Sequence, residues 1–245
     1  MANLVISIPI PALAVLAQPM EGRGGAYGSR VEGAGDGIDL LTLKPIVNDV
    51  VYPPSLVGVW RCQRELLQVD GDTEQAEQTW IALGGLSEDF RNPEAIYLTN
   101  YISSQEGIVL DRGFETFSRQ HEGNIVKWNV NLPNTLAYGP TELAVVQRHI
   151  ELPNDEGWGF DELVRITGAA GGIFGDTKVM KVARVKRRYR RAYTDNGDRI
   201  VEGLEIMKTY RVLDGIAGEL PTSTTKSRIK MIRPSASTVN TDGVQ

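Results

Sequence analysis

The chain has 245 residues, of which 41% are apolar, and a formal net charge of −5 at pH 7. This length and composition suffice for one large domain with a hydrophobic core, and the mild acidity argues against a general nucleic-acid binder. With a single cysteine and two histidines, an internal disulfide, a cysteine-based zinc site and a histidine-rich metal site are excluded. No run of residues reaches the roughly 20 apolar residues of a membrane-spanning helix.

The N-terminal part, residues 1–51, has the composition of a flexible extension. Residues 4–17 are apolar but contain two prolines, and no basic residue precedes Ala12-Leu13-Ala14, whose small-x-small form is that of a signal-cleavage site. Residues 22–37 hold seven glycines, with no strand before them and no helix pattern after them. They therefore indicate a linker and not a nucleotide-binding loop. Two hypotheses stay open for the apolar segment: a targeting remnant or a partner-bound arm.

Residues 52–234 have the pattern of an all-β unit, and we expect the tail at 235–245 to be disordered. Between Leu56 and Val69 apolar and polar residues alternate, as in a strand with one face in water. Turn-forming residues delimit further strands. These are predicted at 79–83, 95–103, 124–130, 143–151, 162–167, 178–193, 199–213 and 224–232. One short helix is predicted at 111–120. The pattern fits a barrel or a sandwich, and the long final strands favour a single antiparallel β-barrel.

The strongest local signal is Asn196-Gly197. This dipeptide favours the two central positions of a type I′ hairpin turn, in which both residues have positive φ. A two-residue turn here places Tyr189 opposite Leu204 and Arg191 opposite Glu202. The sequence therefore predicts both the hairpin and its register.

Gly58 and Trp60 open the first predicted strand. A glycine lets the strand bend, and a tryptophan two residues later lies on the same face, where it can plug the end of a small barrel. We favour this structural role for Trp60, with ligand stacking as the alternative. A cation from the last strand, Arg228 or Lys230, is expected over its ring.

Several segments resemble an uncharacterised family of cyanobacterial and chloroplast proteins with a calycin (lipocalin-like) barrel. The matching segments are Tyr52-Pro53 with Leu56, Gly58 and Trp60, then Ile108-Val109-Leu110-Asp111-Arg112-Gly113-Phe114, Pro133-Asn134-Thr135-Leu136 and the closing hairpin. Ser55 and Glu115 depart from the family pattern, which usually has Trp and Asn there. The resemblance covers 52–234 and implies a lipocalin-like barrel located in the thylakoid lumen of the chloroplast. It also implies a fold similar to that of bilin-attachment lyases.

Two arginines have the parity of an inner face. Arg64 shares the face of Trp60, and Arg187 shares the face of Tyr189. A charge on an inner face must be paired, because its desolvation otherwise costs several kcal/mol. We favour the hypothesis that both arginines lie at the barrel rim or pair with Glu202 or Glu205. The alternative is that they hold an anionic ligand group. Trp60, Arg64, Arg187 and Tyr189 are thus the candidate ligand-binding residues.

A second candidate surface is basic. Eight basic residues occur between Lys178 and Arg191. Four of them form an outward stripe on a strand: Arg184, Lys186, Arg188 and Arg190. Such a stripe suits anionic lipid headgroups or an acidic partner, with an ordinary solvated face as the alternative. It lacks the interleaved aromatic residues that stack on bases.

These observations lead to a non-enzymatic hypothesis. The resemblance implies a plastid, thylakoid-associated barrel that docks on a photosynthetic complex, with residues 1–51 as the contacting arm, or that binds a small apolar or tetrapyrrole-like ligand. A pigment or a lipid is the candidate ligand, and no other cofactor is indicated. The alternative is a barrel enzyme that attaches or isomerises a pigment or lipid. No nucleophile motif or acid–base pair supports that alternative. Interior volume distinguishes a ligand carrier from a docking protein.

Overall fold

The computed structural model describes residues 40, 42–83, 85, 90, 92, 96–119, 126–169, 178–194, 197–213 and 216–233. The strands are β1 Gly58–Gly71, β2 Ile96–Ser103, β3 Ile108–Leu110, β4 Val126–Trp128, β5 Thr135–Tyr138, β6 Thr141–Glu151, β7 Trp158–Ala169, β8 Lys178–Tyr193, β9 Arg199–Tyr210, β10 Val212–Leu213, β11 Ile216–Ala217 and β12 Ser223–Ile232. The α-helices are α1 Thr73–Ala82 and α2 Arg112–Arg119, and a short 3₁₀ turn spans Pro54–Leu56. Among the described residues, no helix is long and apolar enough to cross a membrane.

Ten strands form one antiparallel sheet in the order β3-β2-β1-β12-β9-β8-β7-β6-β5-β4, and β10 pairs with β11 separately. The first strand therefore lies beside the last. The sheet is strongly curled into a half-barrel, and in the described part of the chain β3 and β4 form its two edges. The prediction of a mostly antiparallel β fold is confirmed. A closed lipocalin barrel stays a prediction.

The inner face of the curled sheet holds most of the core. Along β8, Ala183, Val185 and Tyr189 are buried while the residues between them are more exposed. This period of two is that of a strand with one dry face. Two apolar clusters occupy the inner side, one around Trp60 and one around Trp80. A third, around Val182, lies on the outer face.

The strand predicted at 79–83 is wrong, because these residues belong to α1. The side chain of Asp72 accepts a hydrogen bond from the backbone N–H of Gln75 at 3.0 Å and caps the helix. The following Glu, Gln and Ala residues are strong helix formers. The helix buries Trp80 against the inner side of the sheet. The turn at Asp70–Asp72 thus begins a helix and does not lead to another strand.

The predicted register of the last hairpin is also wrong, by one residue. Tyr189 lies opposite Gly203, and Arg191 lies opposite Val201. The N–H of Thr194 donates to the carbonyl of Asp198, and the N–H of Gly197 donates to the carbonyl of Thr194. The loop between Thr194 and Asp198 therefore has three residues, with Gly197 in the left-handed region at φ 82°. Residues 195 and 196 lie outside the described residues.

The packed unit begins before Tyr52. Leu40 and Val50 are buried, and the N–H of Ile46 donates to the carbonyl of Val145 on β6 at 3.0 Å. The boundary predicted at 51 is therefore too late for the segment 42–51. Residues 1–39 and 234–245 lie outside the described residues, so the flexibility of both tails stays a prediction.

A disulfide tests the hairpin register. Tyr193 and Arg199 are exposed and directly opposite each other. We expect the double variant Tyr193→Cys/Arg199→Cys to oxidise readily, because cross-strand Cβ atoms lie within the range that a disulfide bridges. Tyr193→Cys/Ile200→Cys, which matches the two-residue turn, should oxidise poorly. Peptide mapping by mass spectrometry measures both, and preferential oxidation of the second pair would contradict the observed register.

Candidate functional site

The inner face carries a buried cluster of three charges. Glu205 on β9 accepts a hydrogen bond from the Nη2 of Arg64 on β1 and another, at 2.6 Å, from the Nε of Arg187 on β8. The Arg64 and Glu205 residues are only 3% and 1% exposed. Both arginines face inward, as their parity predicts. Their charges are paired with a carboxylate of the chain, Glu205. The hairpin register explains why this partner is Glu205, since Arg187 is directly opposite it.

Helix α1 closes over this cluster. The Arg64 guanidinium carbon lies 3.4 Å from the centroid of the Trp80 ring, a cation–π contact in a desolvated setting. The Trp80 ring also meets Phe90 edge-to-face, with centroids 5.6 Å apart. Arg64 therefore holds the sheet and the helix together. No pattern in the sequence indicates this contact, because residues 79–83 are predicted to form a strand.

A second buried cluster joins the N-terminal segment to the sheet. Glu162 on β7 accepts hydrogen bonds from the Nε of Arg148 on β6 at 2.8 Å and from the Nη2 of Arg112 on α2 at 2.9 Å. Asp49 lies within 3.3 Å of Arg112 and 3.2 Å of Arg148. The amide of Asn134 donates to the carbonyls of residues 46 and 48, both at 2.8 Å. Two arginines and two carboxylates thus balance.

Residues from two of the segments that carry the family resemblance meet in this second cluster. The Asp111 side chain accepts a hydrogen bond from the N–H of Phe114 at 2.8 Å and caps α2, and the Arg112 guanidinium bonds to Glu162. Asn134 follows Pro133 and accepts from Arg148 at 2.5 Å. Sequence reasoning named both motifs but missed that they share one site.

A small cavity lies between the two clusters. Its volume is about 70 Å³, and it is lined by Arg112, Glu115, Thr116, Asn134, Glu162, Arg187 and apolar side chains from Leu83 and several strands. One buried water needs about 10–15 Å³ of such space, so the cavity has room for only a few waters. Ligand pockets usually measure about 300–1,000 Å³. The cavity is therefore too small for a tetrapyrrole or a lipid.

The carboxylates of Glu162 and Glu205 are held ionised. Burial alone would raise the pKa of Glu162, but the Arg112 and Arg148 guanidiniums outweigh burial and lower that pKa from 4.5 to about 2. Burial acts in the same direction on Glu205, and Arg64 with Arg187 lowers its pKa to about 2. Neither carboxylate is a useful general base near neutral pH, because a base works best with a pKa near the working pH.

The other two candidate ligand residues are packed into the core. Trp60 donates from its indole Nε1 to the carbonyl of Leu56 at 2.6 Å, and Arg233 lies 4.9 Å from its ring centroid. The expected cation was Arg228 or Lys230, but both point outward on β12. Tyr189 stacks on Trp158, with centroids 5.7 Å apart, and burial raises its pKa to about 12. A side chain at Gly203 would collide with its ring, since a Cβ there would lie 2.7 Å from Cδ1.

The predicted basic stripe is part of a wider surface. Among the side chains that the structure describes, the outer positions of three adjacent strands, β8, β9 and β12, carry eight basic residues, which we call the outer basic face. They are Arg184, Lys186, Arg188, Arg190, Lys208, Lys226, Arg228 and Lys230. Within the same described positions, Glu202 is the single carboxylate. The arginine side chains pair with nearby carboxylates, as Arg184 does with Asp161 at 2.8 Å. The side chains of the four lysines have no hydrogen bond or ion pair within the described residues.

An open groove of about 630 Å³ lies beside β4, β5 and β6. Its lining includes Pro45, Trp128, Leu136, Leu143 and Arg165. Among the described residues, no group of three His, Cys, Asp or Glu side chains is placed to hold a metal ion. Cys62 is buried in the cluster around Trp60, where a thiol packs as a small apolar group.

A family model described as "Domain of unknown function (DUF6816)" matches residues 47–237. The chain belongs to the DUF6816 family. The DUF6816 match begins within the segment 42–51 that packs on the sheet, and it includes both charge clusters and the outer basic face. No curated protein and no solved structure matches the chain. The taxonomic range and calycin class implied by the resemblance stay predictions.

The first charge cluster of this DUF6816 domain should contribute to the free energy of unfolding. Glu205→Gln leaves two buried guanidiniums without a counter-charge, and we expect a loss of about 3–5 kcal/mol in the free energy of unfolding measured in urea. Arg64→Met should cost less, because Glu205 keeps Arg187. The control is Glu202→Gln on the surface, which should cost at most about 1 kcal/mol. Equal effects for Glu205→Gln and Glu202→Gln would contradict a structural role for the cluster.

The same carboxylates predict how stability depends on pH. Both have a folded pKa of about 2, below the ordinary value of 4.5. Their stabilisation is therefore complete above the unfolded pKa and is lost as pH falls through the folded pKa. We expect the free energy of unfolding in urea to decline between pH 4.5 and pH 2. Glu202→Gln should keep this decline, and a stability that rises in that window would contradict the assignment.

Proposed function

We propose that this DUF6816 protein is a non-enzymatic docking protein that attaches to an anionic surface through the outer basic face. One observation carries the proposal. The described outer positions of β8, β9 and β12 hold eight basic side chains and one carboxylate, although the whole chain has a net charge of −5. A basic face on an acidic protein steers and orients attachment to negative charge.

The interior supports docking over ligand carriage. Each buried arginine of the two clusters is paired with a carboxylate of the chain, Glu162, Glu205 or Asp49, so each has a partner without an anionic ligand. The cavity between the two clusters measures about 70 Å³, far below the size of a pigment site. Carboxylates held ionised by two arginines each also argue against the enzyme alternative.

Two further parts of the proposal come from the sequence. The plastid, thylakoid-associated location and the photosynthetic complex as docking target rest on the family resemblance. The contacting arm rests on the composition of residues 1–51, of which 42–51 pack on the sheet of the protein itself. We therefore propose only residues 1–39 as the contacting arm.

Retention on a sulfonate cation-exchange resin tests the docking face without assuming a partner. At pH 7 and low salt we expect the protein to bind the resin despite its net charge of −5, because the basic face meets the resin first. Lys208→Glu/Lys226→Glu should elute at clearly lower salt. The control Lys44→Glu/Lys127→Glu changes the net charge equally but lies off the face, and it should elute like the wild type.

Purification from the native source tests the competing function. We expect neither visible absorbance nor a stoichiometric pigment or lipid by mass spectrometry. A co-purifying pigment would overturn docking in favour of ligand carriage, with the groove beside β4 to β6 as the first place to seek the ligand. Flow-through of the wild type on the resin would refute the docking proposal directly.

A further inference from the structure

The small hairpin β10–β11 lies at one end of the outer face. Val212 and Ala217 pack toward the sheet with Val182 and Tyr210. Side chains alternate along a strand, so the cross-strand pair of Leu213 and Ile216 points away from the sheet. These two residues are 60% and 44% exposed. The hairpin therefore presents a bulky apolar pair to the outside, on the same side as the outer basic face.

The exposed apolar side chains extend beyond the hairpin. Leu220, between β11 and β12, is 81% exposed. Three exposed large apolar residues thus fall within eight positions of the chain, and two of them lie directly opposite each other on the hairpin. Isolated exposed leucines are ordinary, whereas neighbouring exposed apolar side chains mark an interaction site.

The least neutralised lysines lie next to this projection. Lys208 is two residues from the end of β9 and has Arg184 and Thr224 as its cross-strand neighbours. Lys226 lies between Gln68 and Ile206. Neither has a carboxylate opposite it, unlike Lys186 and Lys230, which lie opposite Asp161 and Glu202. Lys208 and Lys226 thus have no carboxylate directly opposite them, and the nearest outer carboxylate across the strands is Asp70, which lies opposite Thr224.

We propose that this end of the outer face binds the surface of an anionic phospholipid bilayer. Lys208 and Lys226 contact the headgroups, and the Leu213–Ile216 pair enters the interfacial region below them. The inference rests on the proposed function and names its partner. Apolar side chains beside basic ones are the combination that attaches peripheral proteins to membranes, each basic residue near the surface adding attraction.

The side chains favour a lipid surface over an acidic protein. The arginines that suit two-point recognition of carboxylates are engaged within the chain: both Nε and Nη2 of Arg184 bond to Asp161, and both Nε and Nη2 of Arg190 bond to Glu202. The lysines remain, and a lysine is a mobile point charge that suits a fluid, unstructured layer of negative charge. Apolar side chains on a projecting turn suit a deformable surface.

Vesicle co-sedimentation of the full chain tests the inference. We expect binding to vesicles of phosphatidylcholine mixed with phosphatidylserine and little binding to phosphatidylcholine alone. Added salt should weaken binding, because exposed charges are screened within about 10 Å at 0.1 M ionic strength. Lys208→Glu/Lys226→Glu should reduce the partition coefficient at least about tenfold, and Lys44→Glu/Lys127→Glu should leave it within about twofold of the wild type.

A second variant separates lipid from other anionic partners. Leu213→Ser/Ile216→Ser should lower the partition into mixed vesicles at least about tenfold, because insertion needs the apolar pair, while leaving elution from the sulfonate resin unchanged. Circular dichroism confirms that each variant is folded. Retention on the resin without vesicle binding would overturn the membrane inference but leave docking standing, with an acidic protein as the partner. Loss of both would refute the two together.

Discussion

The architecture depends on the pairing of the Glu205 carboxylate with Arg64 and Arg187. A charge inside a protein is tolerated only when it is paired and hydrogen-bonded. To meet that condition, β1, β8 and β9 must be aligned so that all three side chains converge. Arg64 then also contacts the ring of Trp80. The pairing therefore ties the first strand, the final hairpin and helix α1 to one point.

The second cluster does the same for the other half of the interior. Glu162 and Asp49 bring together Arg112 from α2, Arg148 from β6 and the backbone of the segment before Tyr52. Among the described residues, each charge of the two clusters has a partner within the protein. Buried and paired charges of this kind tie distant segments together, because leaving one of them unpaired is costly.

Because side chains alternate along a strand, the basic segment of β8 contributes to both the inner face and the outer face. On β8, Arg187 points inward and is neutralised by Glu205, while Lys186 and Arg188, its immediate neighbours, are exposed. The outer face gains its positive potential because β9 and β12 place further lysines beside β8. The apolar hairpin at its end adds a second kind of contact. Charge gives orientation and apolar area gives residence on a surface.

Local pattern alone determined the antiparallel β class, most strand positions, the inward parity of Arg64 and Arg187 and the outward parity of the basic stripe, because alternation with a period of two depends on neighbours in the chain. Tertiary structure decided the rest. A three-residue loop at Gly197 shifted the register and turned Glu205 inward. The cap at Asp72 converted a predicted strand into α1. Pairing of β1 with β12 and the meeting of Arg112 with Glu162 join residues far apart in the chain, which no local pattern encodes.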